Sequence, residues 1–134
     1  LMLNLVFMAT YVTFDSRKAC GGNYFANVGS IKSPNYPNGY PDNLNCVWII
    51  TVPNGRQIKL NVEKFSTRCR QDFLEIRNGG YESSPLIKRY CGTAIDTEIT
   101  SMSNQIYIKF VSDSTFNSKG FLIKWDSSLR GCGG

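Results

Sequence analysis

Residues 46–63, CVWIITVPNGRQIKLNVE, contain two apolar runs separated by the turn-forming sequence Pro53-Asn54-Gly55. In the second run, residues 58–63, apolar and polar residues alternate. A period of two places the apolar side chains on one face of a β-strand. The first run, residues 46–51, is apolar almost throughout, which suits a buried strand. This stretch therefore predicts two consecutive strands joined by a short turn.

The same alternation recurs in three later runs, at residues 73–77, 106–111 and 121–125. Segments rich in Gly, Pro and Asn separate the runs, and no segment keeps a helical period over ten residues. Short strands divided by such turns are typical of an antiparallel β-sandwich. We therefore predict an all-β fold.

Four aromatic residues are expected to belong to the body of this sandwich. Trp48 and Trp125 stand on apolar strand faces, which predicts that both are in the core. Tyr36 and Tyr40 occupy a proline-rich loop. We expect the prolines to fix the turn and the tyrosines to pack against the sandwich.

The composition excludes several classes of function. The 134 residues are 42% hydrophobic and 19% charged, which is ordinary for a globular domain. Histidine is absent, so the chain holds no Ser-His-Asp triad, Cys-His dyad or histidine-ligated zinc site. The net charge is +5, but basic residues occur at most two in a row, as in Arg17-Lys18. This pattern favours a solvated surface over a nucleic-acid-binding patch.

Five cysteines, at positions 20, 46, 69, 91 and 132, indicate an oxidising, extracellular environment. No CxxC spacing occurs, so a metal cluster is not expected. Buried free thiols in a cytosolic protein are the alternative. If four cysteines are paired and Cys132 is left over, three connectivities remain open.

The odd cysteine has an explanation in a repeated motif. Cys20-Gly21-Gly22 recurs as Cys132-Gly133-Gly134, a period of one domain length, although a chance recurrence is the alternative. The apolar residues 1–14 are too short to span a bilayer and are interpreted as the last strand of a preceding unit or as a leader. The predicted division is residues 1–19 as preceding strand or leader plus linker, 20–128 as the domain, and 129–134 as the start of the next unit.

Residues 20–125 resemble a CUB domain, an extracellular β-sandwich of about ten strands. The motifs that carry the resemblance are Ser33-Pro34-Asn35-Tyr36-Pro37, Tyr40-Pro41, Cys46-Val47-Trp48, Cys69-Arg70-Gln71-Asp72-Phe73-Leu74-Glu75-Ile76, Tyr90-Cys91-Gly92, Phe110-Val111-Ser112-Asp113 and Gly120-Phe121. The resemblance implies the disulfides Cys20–Cys46 and Cys69–Cys91. It also makes Cys132 the first cysteine of a following repeat.

The resemblance implies a calcium site as well. Glu63, Asp72 and Asp113 lie at predicted strand ends that can converge at one edge of a sandwich, and carboxylates are preferred calcium ligands. Calcium-binding CUB domains use acids at the matching positions, and they add backbone carbonyls that correspond here to Thr115 and Phe116. Two features count against the site. Many members place a tyrosine near the rim, where this chain has Val28, and Arg68 and Arg70 could neutralise Asp72 without a metal.

The predicted function is binding, not catalysis. Calcium-held Glu63, Asp72 and Asp113 are expected to bind Lys or Arg side chains of protein ligands. Tandem Cys-Gly-Gly units favour a multi-CUB endocytic receptor, with neighbouring CUB repeats as further partners and membrane association only through other parts of the protein. The alternative is a substrate-recruiting or assembly module of a secreted protease, tolloid-like or complement-type. Either reading places the domain outside the cell or at its surface.

Overall fold

The computed structural model describes residues 18–67, 72–113 and 119–129, and these contain nine β-strands. The strands are β1 (Lys18–Phe25), β2 (Val28–Lys32), β3 (Leu44–Thr51), β4 (Arg56–Ser66), β5 (Phe73–Asn78), β6 (Leu86–Tyr90), β7 (Thr93–Thr100), β8 (Gln105–Val111) and β9 (Gly120–Leu129). The five runs predicted from alternation lie on β3, β4, β5, β8 and β9. Within this part of the chain, no helix is long and apolar enough to cross a membrane.

The strands form two sheets, which confirms the predicted all-β sandwich. The first sheet has the order β1-β3-β8-β5-β6, and the second has the order β2-β9-β4-β7. In the described part of the chain, all strand pairings are antiparallel except that of β1 with β3. β1 lies at the edge of the first sheet, beside β3. Because these two strands are parallel, they are not joined by a tight hairpin.

Alternation along the strands produces a core between the sheets. Trp48 and Trp125 are both buried, as predicted, and so is Tyr40. The ring of Phe121 on β9 meets Trp48 on β3 edge to face, with 5.7 Å between ring centroids, so this pair bridges the two sheets. Trp125 is packed so closely on β2 that a Cβ added to Gly29 would lie 2.3 Å from its ring.

A disulfide links Cys20 on β1 to Cys46 on β3, where the two residues are directly opposite each other. The first predicted crosslink is therefore confirmed, and with it the oxidising environment. Cys91 is also disulfide-bonded. Its predicted partner, Cys69, lies outside the described residues, so the second pairing stays a prediction, and so does the free state of Cys132.

The sandwich has two distinct ends. We call one end the entry end, because β1 begins there at Lys18. The connections that follow β2, β4, β6 and β8 lie at the same end, and they start at Ser33, Thr67, Cys91 and Ser112. At the opposite end, the exit end, β9 finishes at Leu129. The connections 26–27, 52–55, 79–85 and 101–104 also lie at the exit end.

Candidate calcium and ligand-binding site

Two acidic residues meet at the entry end because the strands beside them are hydrogen-bonded neighbours. Asp72 immediately precedes β5, and Asp113 is the second residue after β8. These strands are antiparallel, with Phe73 opposite Val111. Antiparallel pairing places the start of one strand beside the end of the other. The structure therefore brings Asp72 and Asp113 together, as predicted for two of the three acids.

Asp72 is the buried member of the pair, with an exposure of 1%. Its Oδ2 accepts a hydrogen bond from the Tyr40 hydroxyl, and its Oδ1 accepts one from the backbone N–H of Asp113, with an N···O distance of 3.0 Å. Burial raises the pKa of Asp72 above its ordinary value of 3.8, and the charge of Asp113 adds to the rise. The hydrogen bonds from Tyr40 and from the Asp113 backbone lower the pKa but do not reverse the direction.

The loop that carries Tyr40 is tied to the end of β8. The Ser112 hydroxyl donates to the carbonyl of Pro41 over 3.1 Å. The backbone N–H of Asn43 donates to the carbonyl of Asp113 over 2.8 Å. These bonds fix the loop against the acidic pair, so Tyr40 reaches Asp72 from a preorganised position.

Glu63 is not part of this cluster. The prediction assumed that its strand ends at Glu63, but β4 continues to Ser66, and the strand register shifts at Glu63. The Glu63 carboxylate lies 3.6 Å from Nζ of Lys124, on the outer face of the second sheet. The structure therefore corrects the expectation that Glu63 joins Asp72 and Asp113 in one site.

Val28 is also far from the acidic pair. It begins β2 opposite Asp126, near the exit end, and it is largely exposed. The expectation that Val28 alters the rim of the acidic site is therefore wrong, because β2 starts at the other end of the sandwich.

Four further predicted participants lie outside the described residues. They are the two carbonyl donors and the two arginines, namely Thr115, Phe116, Arg68 and Arg70. Their predicted roles stay predictions.

The chemistry of Asp72 and Asp113 suits part of a calcium site. Calcium takes six to eight oxygen ligands, and a carboxylate offers about four acceptor positions, of which Asp72 uses two in the hydrogen bonds described. Within residues 18–67, 72–113 and 119–129, no three His, Cys, Asp or Glu side chains are grouped to hold a metal. The described residues thus supply two of the three predicted carboxylates.

Tyr40 is the site residue that sequence reasoning missed. We expected it only to pack, and its ring does contact Phe110 edge to face, with 5.0 Å between centroids. Its hydroxyl was not assigned a partner, although a buried tyrosine hydroxyl usually has one. The sequence did offer a partner for this hydroxyl in Asp72, the acid that follows the third cysteine.

A known protein family matches most of the chain. The family model for the CUB domain matches residues 20–125. Cubilin from Rattus norvegicus is 42% identical over 134 residues, covering 96% of this chain and 4% of the relative. Bone morphogenetic protein 1 from Xenopus laevis is 39% identical over 117 residues, covering 84% of this chain and 16% of the relative. The chain thus spans only a small part of both relatives.

A solved structure supports the same assignment. The crystal structure of the MASP-1 CUB2 domain bound to Ca2+ superposes with a TM-score of 0.71 at 26% identity, covering 80% of this chain and 98% of that chain. The chain belongs to the CUB domain family, and it resembles a repeat of cubilin.

Proposed function

We propose that this domain is a protein-binding module of a multi-CUB endocytic receptor. The domain is extracellular or at the cell surface, in keeping with its family and its Cys20–Cys46 disulfide. The similarity to cubilin covers nearly the whole chain and supports the receptor assignment. The absence of histidine from the chain removes the commonest general base, so binding is the function that the residues favour over catalysis.

The observation that carries the proposal is the pair of carboxylates at the entry end. Asp72 and Asp113 are held side by side, and the raised pKa of Asp72 reflects its burial and the neighbouring negative charge. A divalent cation at this place offsets that repulsion. We assign Asp72 and Asp113 as calcium ligands, with the carbonyls of Thr115 and Phe116 as further donors. The calcium-bound MASP-1 CUB2 structure supports this assignment.

Glu63 has no place in the proposed site, because it is paired with Lys124. Fewer charged ligands weaken a calcium site, so we expect a dissociation constant in the range of extracellular modules, about 10⁻⁴–10⁻³ M. Calcium in this site orders the loops. Its two charges balance those of Asp72 and Asp113, so the site presents a ligand with a surface of oriented carboxylate and carbonyl oxygens. That surface can accept a Lys or Arg side chain of a protein ligand.

Within the acidic pair, contact with the ligand falls to Asp113, because Asp72 is buried. A single charged hydrogen bond contributes about 1.5–3 kcal/mol, which is too little for tight binding by one domain. We therefore propose that several repeats bind together, since linked modules gain avidity without new contacts.

Calcium titration of the thermal unfolding midpoint tests the site. At one hundred times the dissociation constant, linkage stabilises the folded state by about 2.7 kcal/mol, which raises the midpoint by several degrees. Asp113→Asn should abolish this rise. Glu63→Gln is the matched control, and it should leave the calcium response intact while losing the ion pair with Lys124.

Two outcomes would contradict the calcium site. One is a midpoint that EDTA and calcium leave equal in the unmodified chain. The other is loss of the calcium response in Glu63→Gln with its retention in Asp113→Asn. Binding to immobilised polylysine, measured with and without EDTA, then tests the ligand. Equal binding in both conditions would refute the calcium-dependent contact with Lys or Arg, but it would not refute the metal site.

A second candidate function is supported by the similarity to bone morphogenetic protein 1 and to tolloid-like protein 2 of Mus musculus, which is 38% identical over 117 residues. In this alternative the domain recruits substrate or mediates assembly in a secreted protease. The flanking sequence discriminates the two. Further CUB units on both sides favour the receptor, whereas an HExxH segment or a serine-protease domain favours the protease.

A further inference from the structure

The large hydrophobic side chains that are exposed in the described part of the chain share one end of the sandwich. Each is between 48% and 77% exposed, and they are Phe25, Val28, Tyr81, Leu86 and Met102. Phe25 ends β1, Val28 begins β2, and the other three lie in or beside the β5–β6 and β7–β8 connections. All of these positions belong to the exit end, so the distribution of exposed apolar surface is strongly one-sided.

Two of these residues stand beside the point where the chain leaves the domain. The turn between Phe25 and Val28 is bonded to β9: the Trp125 indole N–H donates to the carbonyl of Ala26 over 3.0 Å, and the Ser127 hydroxyl donates to Oδ1 of Asn27 over 2.9 Å. The last residues of β9 are thereby fixed next to Phe25 and Val28.

A shallow groove extends this apolar corner. It has a volume of about 340 Å³ and is lined by Phe25, Ala26, Asn27, Thr51, Val52 and Pro53. Phe25 is 77% exposed along one side of it. An exposed aromatic beside an apolar groove is typical of a surface that another protein surface covers.

The spacing of the repeated motif identifies what covers it. In this domain β1 starts at Lys18, two residues before Cys20. Two residues before Cys132 stands Arg130, directly after Leu129, the last residue of β9. A second unit built like this one would therefore follow with no linker. Three extended residues span only about 10 Å, so its first cysteine must lie that close to the exit end.

We propose that the Phe25–Val28 corner of the exit end is the docking surface for the entry end of the following CUB repeat. The inference rests on the tandem arrangement in the proposed function, and it adds the surface that sets the angle between successive repeats. The proposed function adds a constraint, because contact at this corner must leave the acidic pair of the following repeat open to its ligand. In this domain, Asp113 follows β8, two strand spacings or about 10 Å from β1, the strand through which the chain enters.

The test compares one substitution in two contexts. The chain is produced as it stands and also extended through the following repeat of its own protein. Phe25→Ser should change the thermal midpoint of the single repeat by less than about 2 °C, because Phe25 is largely exposed there. In the two-repeat protein the same change should lower the midpoint by about 5 °C and increase the radius of gyration in small-angle scattering.

Tyr81→Ser is the matched control. Tyr81 is 71% exposed at the same end, but it follows β5, three strand spacings or about 14 Å from β1. Its substitution should have the same small effect in both contexts.

Three results would overturn the proposal. They are an equal effect of Phe25→Ser in both contexts, a flanking sequence without a following CUB unit, and dimers of the single repeat that Phe25→Ser dissociates, which would make a second copy the occupant. Failure of calcium binding would refute the site at the entry end without changing any of these measurements.

Discussion

Tyr40→Phe removes one hydroxyl from the buried contact with Asp72 and leaves the rest of the side chain in place. The ring of Tyr40 is buried and meets Phe110 edge to face. Because phenylalanine keeps that ring, the substitution creates no cavity. The change therefore isolates the hydrogen bond to a buried carboxylate.

The expected cost follows from the charge of the acceptor. A hydrogen bond to a charged group contributes about 1.5–3 kcal/mol, and a buried acceptor that loses its partner bears the full desolvation penalty. Asp72 keeps the N–H of Asp113 on its other oxygen, so part of its solvation by the protein remains. We expect Tyr40→Phe to lower the free energy of unfolding by about 2 kcal/mol at neutral pH.

The cost should depend on pH, because Tyr40 stabilises the charged form of Asp72. Burial raises the pKa of Asp72 in the folded state above its ordinary value of 3.8, so folding is favoured as the pH falls through that raised pKa. Removing Tyr40 raises the folded pKa further, so the variant gains more from acidification. The difference in the free energy of unfolding between the two proteins is therefore largest above the folded-state pKa of Asp72 in the variant. It shrinks as the pH falls below that pKa.

Urea unfolding at a series of pH values from about 7.5 to about 4 measures this difference. Tyr81→Phe loses the same atom from an exposed ring and should cost less than about 0.5 kcal/mol at every pH. A cost for Tyr40→Phe equal to that of Tyr81→Phe, or one that grows on acidification, would refute the assignment of Tyr40 as a partner of charged Asp72.

Two further predictions concern stability. Replacing both Cys20 and Cys46 with Ala should destabilise the domain by about 3.5 kcal/mol in chemical denaturation, since the crosslink spans 26 residues; a loss below about 1 kcal/mol would contradict the chain-entropy argument. Gly29→Ala should lower the free energy of unfolding by about 1–3 kcal/mol, because the new methyl group would meet Trp125. Gly22→Ala should be tolerated, because no atom lies closer than 3.9 Å to the added methyl group. Equal thermal midpoints for the two variants would argue against the close packing at Gly29.

The acidic site shows where sequence reasoning stops. The pairing of Asp72 with Asp113 followed from their places at strand ends that an antiparallel sheet brings together. The same reasoning failed for Glu63, because the end of β4 is not marked by a turn residue at that point. β4 continues for three residues beyond Glu63, and the Glu63 carboxylate is paired with Lys124 on the outer face of the second sheet. Only two of the three predicted acids therefore lie together.

Local patterns determined the class of fold. A period of two identifies strands from sequence because alternate side chains face opposite sides, and the burial of Trp48 and Trp125 follows from the same alternation. The family motifs then supplied the pairing of Cys20 with Cys46, for which spacing alone left three possibilities.

Only the tertiary structure decided which distant residues meet. Tyr40 and Asp72 are 32 positions apart, and Phe25 reaches the end of β9 through a turn bonded to residues about 100 positions later. Periodicity specifies the face of a strand on which a residue lies, but it carries no information about the order of strands or their register. Those are fixed by the packing of two whole sheets, and they separate a polar entry end with paired acids from an exit end that carries the exposed apolar residues.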